Sequence, residues 1–147
     1  MSLRPILLVE NNPDDQLLTM RALRKQGIKN EVVLARDGVE ALEYMFGNPS
    51  PAEVSAHKRP ILVLLDLNLP RLSSHEVLRR LRQDPRTEQQ IVVILSTSTE
   101  SKDVDTCYRL GANSYIRKPV DFQEFTQVVG ELNQYWLGIN VPPTTND

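Results

Sequence analysis

The apolar positions of this chain fall into five short runs: Ile6 to Val9, Glu31 to Ala35 behind its leading acid, Ile61 to Leu65, Ile91 to Leu95, and the brief Ser114 to Ile116. Short runs rich in Ile, Val and Leu predict strands buried on both faces. Between the runs, apolar residues recur three and four apart. They are Leu17, Leu18, Ala22 and Leu23; Val39, Leu42, Met45 and Phe46; Val77, Leu78 and Leu81; Val104, Cys107, Tyr108 and Leu110; and Phe122, Phe125, Val129, Leu132 and Trp136. That spacing puts each group on one side of a helix. Strand and helix thus alternate five times. Strands joined by helices run parallel with right-handed crossovers. The pattern predicts an α/β fold, a doubly wound five-stranded parallel sheet with helices on both faces.

Local punctuation supports these elements. Asn12-Pro13-Asp14-Asp15 supplies an N-cap, a proline at the first helical position and acids at the positive end of the dipole. Gly27 stops that helix, and Gly111 suits the end of the fourth. Asp37-Gly38 opens the second helix, Ser73 and Ser74 are candidate caps for the third, and Asp84-Pro85 ends it. Asp121 with Glu124 makes a capping-box-like pair before the last helix. Residues 1–138 read as one domain. Residues 47–60, polar and carrying Pro49, Pro51 and Pro60, read as a surface loop or insertion. Residues 139–147 read as a flexible tail.

Composition acts mainly by exclusion. The chain has 147 residues and a net charge of −2, so neither a nucleic-acid nor a membrane-surface partner is expected. Cys107 is the single cysteine, which rules out an intrachain disulfide and points to a reducing compartment. No apolar run is long enough to span a bilayer and the N-terminus lacks a signal-peptide core, so the expected location is cytoplasmic.

The candidate chemistry follows from the topology. In a parallel sheet all strand C-termini share one edge, where ligands of open α/β sheets bind. That edge collects Glu10-Asn11, Asp66, Ser96-Thr97 and Lys118-Pro119. A carboxylate such as Asp66 can attack phosphorus to give an acyl phosphate. Oxygen ligands from one or two carboxylates suit Mg2+. An ammonium at Lys118 can pair with the carboxylate and then with a phosphoryl oxygen, and a hydroxyl at Ser96 can donate to the phosphoryl group. Thr97 and Ser98 are rivals for that role. There is no glycine-rich phosphate loop, and His57 and His75 have no catalytic setting.

Four segments, Val9-Glu10-Asn11-Asn12-Pro13, Leu64 to Pro70, Leu95-Ser96-Thr97-Ser98 and Tyr115-Ile116-Arg117-Lys118-Pro119, resemble the signatures of response-regulator receiver domains. The likeness covers roughly residues 4–138 and implies a (βα)5, flavodoxin-like receiver fold. Arg36-Asp37-Gly38, Leu67-Asn68-Leu69-Pro70 and Tyr135-Trp136-Leu137 resemble the single-domain regulators of bacterial and cyanobacterial phytochromes. The resemblance implies Asp66 as phosphoacceptor and Mg2+ held by Glu10, Asn11, Asp66 and the Asn68 main-chain carbonyl. It implies Ser96 as switch hydroxyl, Lys118 as the phosphate-sensing lysine and Tyr115 as aromatic switch, with plain core packing the other reading of Tyr115. The partners implied are a sensor histidine kinase, phytochrome-like, and a second copy of the chain through the C-terminal face. The protein is expected to signal by protein contact, with no output domain after the last helix, and not to be an enzyme beyond its own phosphorylation and dephosphorylation.

Two residues depart from the family pattern. Asn11 replaces an acid that usually touches the metal, so a higher Mg2+ requirement is expected. Ser74 stands where glycine is common and implies a different loop conformation. Asn11 also supports a second reading, a phosphorylation-independent docking module. A third, a flavodoxin-like electron carrier, would need a phosphate-binding loop where Glu10 to Asp15 is acidic.

Overall fold

A computed structural model describes residues 3–47 and 59–144. Five strands are present: β1 (Ile6–Val9), β2 (Val32–Ala35), β3 (Leu62–Asp66), β4 (Val92–Ser96) and β5 (Ser114–Arg117). Among the described residues five α-helices alternate with them: α1 (Pro13–Lys25), α2 (Gly38–Phe46), α3 (Ser74–Gln83), α4 (Ser101–Arg109) and α5 (Phe122–Asn133). All strand pairs are parallel and the order across the sheet is β2-β1-β3-β4-β5. The predicted architecture stands.

Successive strand residues point to opposite faces, and both faces are apolar. Leu7, Val9, Val63, Leu65, Val92 and Ile94 pack with Leu42, Met45, Val77, Leu78, Leu81 and Cys107, so α2, α3 and α4 cover one face. Ile6, Leu8, Leu62, Leu64, Val93 and Leu95 pack with Ala22, Leu23, Phe125, Val129 and Leu132, so α1 and α5 cover the other. Each fully buried Leu or Ile contributes about 1.5–3 kcal/mol, which makes this two-sided sheet the main source of stability.

The predicted caps are made. Asn12 Oδ1 accepts from the Asp14 and Asp15 N–H groups, Asp37 from Glu40, Ser73 from Glu76 and Asp121 from Glu124. Each is worth about 0.5–2 kcal/mol. Gly27, with φ +77°, ends α1 in the left-handed region that favours glycine.

Three boundaries shift toward the polar end. β3 and β4 each start and end one residue later than the apolar run suggests, and β5 extends through Arg117. Asp66 and Ser96 therefore belong to the ladder, which fixes their backbones. The expected loop over 47–60 lies outside the described residues at positions 48–58, as does His57. Past α5 the helix widens into one π-helical turn (Gln134–Ile139), closed by the Asn140 N–H donating to the Tyr135 carbonyl at 2.6 Å. Residues 145–147 of the expected tail are outside the described residues.

Candidate functional site

The strand order reverses between β1 and β3, and such a switch point leaves a crevice at the strand C-termini. Glu10 follows β1, and Asp66 closes β3 on the neighbouring ladder. Ser96 closes β4, one step past the Asp66–Leu95 pairing, and Lys118 follows β5. Four separate sequence positions thus converge.

Lys118 organises the charge. Its Nζ lies 2.9 Å from Glu10 Oε1 and 3.7 Å from Asp66 Oδ1. Sequence reasoning pairs this lysine with Asp66 first; the geometry gives Glu10 the closer contact. Glu10 is buried, and its other oxygen accepts from the Asn12 N–H at 3.1 Å. Burial pushes the Asp66 carboxyl up to about 6; Lys118 opposes this, Glu10 adds to it, and the Leu67 N–H pulls back. For Lys118, desolvation works against the ammonium, but the Glu10 hydrogen bond and the Asp66, Glu10 and Asp15 charges outweigh it and raise its pKa. The pocket thus holds two carboxylates that share one cation.

Asn11 is exposed, and its Nδ2 donates to the Arg36 carbonyl at 3.4 Å, linking β1 to the turn before α2. Asn68 is exposed in the β3–α3 loop. Glu10, Asn11, Asp66 and the Asn68 carbonyl offer only oxygen, with two carboxylates. That donor set fits a hard ion that keeps several waters, as Mg2+ does. Among the described residues no group of three or more His, Cys, Asp and Glu is placed to hold a metal ion, so any ion here would rest on the two carboxylates with amide and carbonyl oxygens.

Ser96 is buried; its Oγ accepts from the Ser98 N–H at 3.1 Å and its carbonyl from the Lys118 N–H at 2.7 Å. Of its rivals, Thr97 is exposed and Ser98 donates its hydroxyl to Asp103 at 2.5 Å. Tyr115 is half-buried against the core, and its hydroxyl donates to the Ser98 carbonyl at 2.8 Å. The ring is thus both packed and tied to the loop that follows Ser96.

Two features escape sequence reasoning. Ser74 is buried at the first position of α3, and its hydroxyl donates to the Asp66 and Leu67 carbonyls. Ser74 itself has no positive φ; in the same loop positive φ falls on Arg71, at +66°. Arg71 is held by an ion pair of 3.0 Å to Asp37, whose other oxygen caps α2. A Cβ at Gly38 would collide with the Leu72 carbonyl, so only glycine lets the β3–α3 loop seat on α2. Asp37 and Gly38 were legible as a helix start, but nothing local pairs Asp37 with Arg71.

A model of the response regulator receiver domain matches residues 6–130. The chain belongs to the response regulator receiver family. The probable methanogenesis regulatory protein FilR2 of Methanothrix harundinacea is 38% identical over 138 residues, covering 94% of this chain and 86% of FilR2. Response regulator Rcp1 of Synechocystis is 34% identical over 132 residues, covering 90% of this chain and 88% of Rcp1. The phosphorylated cyanobacterial phytochrome response regulator RcpA superposes with a TM-score of 0.87 at 36% identity, covering 97% of this chain and all of that one (100%). Rcp1 has also been solved in a Mn2+-bound form, with a TM-score of 0.85 at 32% identity over 97% of this chain and 100% of that one. The chain is therefore a receiver domain of a response regulator, a signalling domain similar to phytochrome response regulators. No helix of the described residues is long and apolar enough to cross a membrane.

Proposed function

We propose that this receiver accepts a phosphoryl group on Asp66 from a phosphohistidine of a sensor kinase and signals by protein contact. The observation that carries the reading is the single ammonium of Lys118 between Glu10 and Asp66 at the sheet's switch point. An Asp66 oxygen attacks phosphorus, the P–N bond to the donor imidazole breaks, and the imidazole leaves with the bond pair. Lys118 then exchanges a carboxylate oxygen for a phosphoryl oxygen, and the Ser96 hydroxyl donates to another. Glu10, Asn11, Asp66 and the Asn68 carbonyl would hold Mg2+. A bound Mg2+ supplies charge neutralisation on the phosphoryl oxygens.

RcpA and similar relatives carry phytochrome in their names, which favours a phytochrome-like kinase as donor. Exposed Tyr135, Ile139 and Val141 at the C-terminal end favour self-association there, which sedimentation would report as a dimer. The test of the main reading is labelling with a small-molecule phosphodonor across Mg2+ concentrations, read by intact mass. One phosphoryl adduct is expected, and Asp66→Asn abolishes it.

The turned-out Asn11 amide supports a second reading, a receiver fold kept for docking without phosphorylation. Its signature would be no adduct at any Mg2+ concentration in folded protein, with labelling restored by Asn11→Asp.

A further inference from the structure

The segment between β3 and α3 leaves the sheet at Asp66 and is largely exposed, with Asn68, Pro70, Arg71 and Ser73 facing solvent. Its far end is fixed. α3 begins at Ser74, and Val77, Leu78 and Leu81 anchor that helix in the core. Ser74 itself is 0% exposed.

The helix does not need the Ser74 hydroxyl as a cap. Ser73 already serves, its Oγ accepting from the Glu76 N–H at 3.2 Å. The Ser74 hydroxyl instead turns back across the loop and donates to the carbonyls of Asp66 and Leu67, the latter at 2.9 Å. A hydroxyl has one proton to give, so two successive carbonyls share it. Glycine, common at this position in the receiver pattern, has no hydroxyl, so the tie is a property of this chain.

The consequence follows from peptide geometry. Each peptide here is trans and planar, so its N–H points the opposite way from its carbonyl. The Asp66 carbonyl shares a peptide with the Leu67 N–H, and the Leu67 carbonyl shares one with the Asn68 N–H. With both carbonyls drawn to Ser74, both N–H groups point to the other side. The Asp66 carboxylate lies on that side, because the Leu67 N–H donates to it. Successive N–H groups aimed the same way form a concavity that suits negative oxygen. Such donors help a reaction only when they are held in place before charge develops.

We propose that Ser74 is a positioning residue for phosphoryl transfer, holding the Leu67 and Asn68 N–H groups on the carboxylate side of the loop. This rests on the reading of Asp66 as phosphoacceptor. A role in packing alone would lower stability and leave the rate of the folded protein unchanged.

The experiment compares the full wild-type chain with Ser74→Ala, using acetyl phosphate as donor and Mg2+ raised until the rate stops rising. An Asp66 oxygen attacks phosphorus, acetate leaves with the bond pair, and intact mass reads the adduct. In Ser74→Ala the maximal labelling rate should fall about tenfold or more. The half-saturating acetyl phosphate concentration should stay within about twofold. In metal-free protein, amide NMR shifts should change more at Leu67 and Asn68 than at Val77 and Leu78. A folded Ser74→Ala that labels as fast as wild type overturns the proposal, whatever its stability in urea. So does a change confined to half-saturation, or amide shifts no larger at Leu67 and Asn68 than in α3. Ser74→Gly replaces the alanine variant if that fails to fold; if neither folds, the hydroxyl serves the fold alone and the proposal falls. No adduct in wild type overturns the phosphoacceptor reading as well, whereas equal rates in wild type and variant overturn this proposal only.

Discussion

At the carboxyl edge of the sheet, Lys118 stands between Glu10 and Asp66, and all three side chains are 14% exposed or less. At the amino edge, Arg4, Arg59 and Arg86 are the charged residues among the described ones that line a cavity. The same five strands build both edges, so the contrast is a matter of side chains. Buried carboxylates require a cation, because solvent no longer screens them and a stranded charge is expensive. Arg59 is held by the Met45 carbonyl and Arg86 by the Asp84 carboxylate, and water still reaches Arg86, whose side chain is 60% exposed. A lost charge should therefore be felt strongly at the first edge and weakly at the second.

The largest expected effect tests that directly. Lys118→Met strands Glu10 and Asp66 and should destabilise the fold by about 2–4 kcal/mol at pH 7.5. The loss should shrink toward pH 5, where the stranded carboxylates take up protons. Urea unfolding at the two pH values measures it, and a pH-independent loss would mean that packing rather than charge is what Lys118 provides.

Asn11→Asp sharpens the carboxyl edge by adding a third acid. Mg2+ affinity, by calorimetry, should rise about tenfold to a hundredfold, equivalent to roughly 1.4–2.8 kcal/mol. Unchanged affinity would place position 11 outside the metal's reach.

Arg71 separates backbone strain from ion pairing at the rim of the same edge. Arg71→Ala keeps the unfavourable φ and loses the Asp37 contact, for a loss of about 1 kcal/mol. Arg71→Gly loses the contact but accepts the φ, and should unfold closer to wild type. Equal losses would show that strain contributes nothing there.

The smallest effect belongs to the amino edge. Hydrogen bonds from Arg86 hold the partly exposed Asp84 carboxyl down to about 2, below its ordinary 3.8. A lowered carboxyl gives stability that is present above pH 4 and lost as pH falls through 2. Asp84→Asn should slightly flatten the acid side of the melting curve, and 1 M salt should erase the difference from wild type.

Much of this was legible because its causes are local. Ile61 to Leu65 reads as a doubly buried strand whichever partner it meets, and Asn12, Ser73 and Asp121 cap helices three residues or fewer away. Asp66 and Lys118 were legible because parallel topology sends strand C-termini to one edge. The pairings were not. Glu10 takes the nearer contact with Lys118 because the chain buries it, which its position after a strand does not reveal. Ser74 looks like a helix cap, yet its hydroxyl turns back to the Asp66 carbonyl. Arg71 and Asp37 are 34 residues apart, and only the folded loop joins them.

Cys107 is 0% exposed, on the buried side of α4, and burial together with Asp103 raises the pKa of its thiol. Because it is the chain's single cysteine, a thiol reagent has one target, and that target is shut. Its reaction rate in native buffer therefore counts how often α4 lifts from the sheet, which is a local opening free energy. The helix that lifts is the one joined to the Ser96 loop through Ser98 and Asp103. The unmodified protein thus carries its own clock for motion on the face next to the phosphoacceptor.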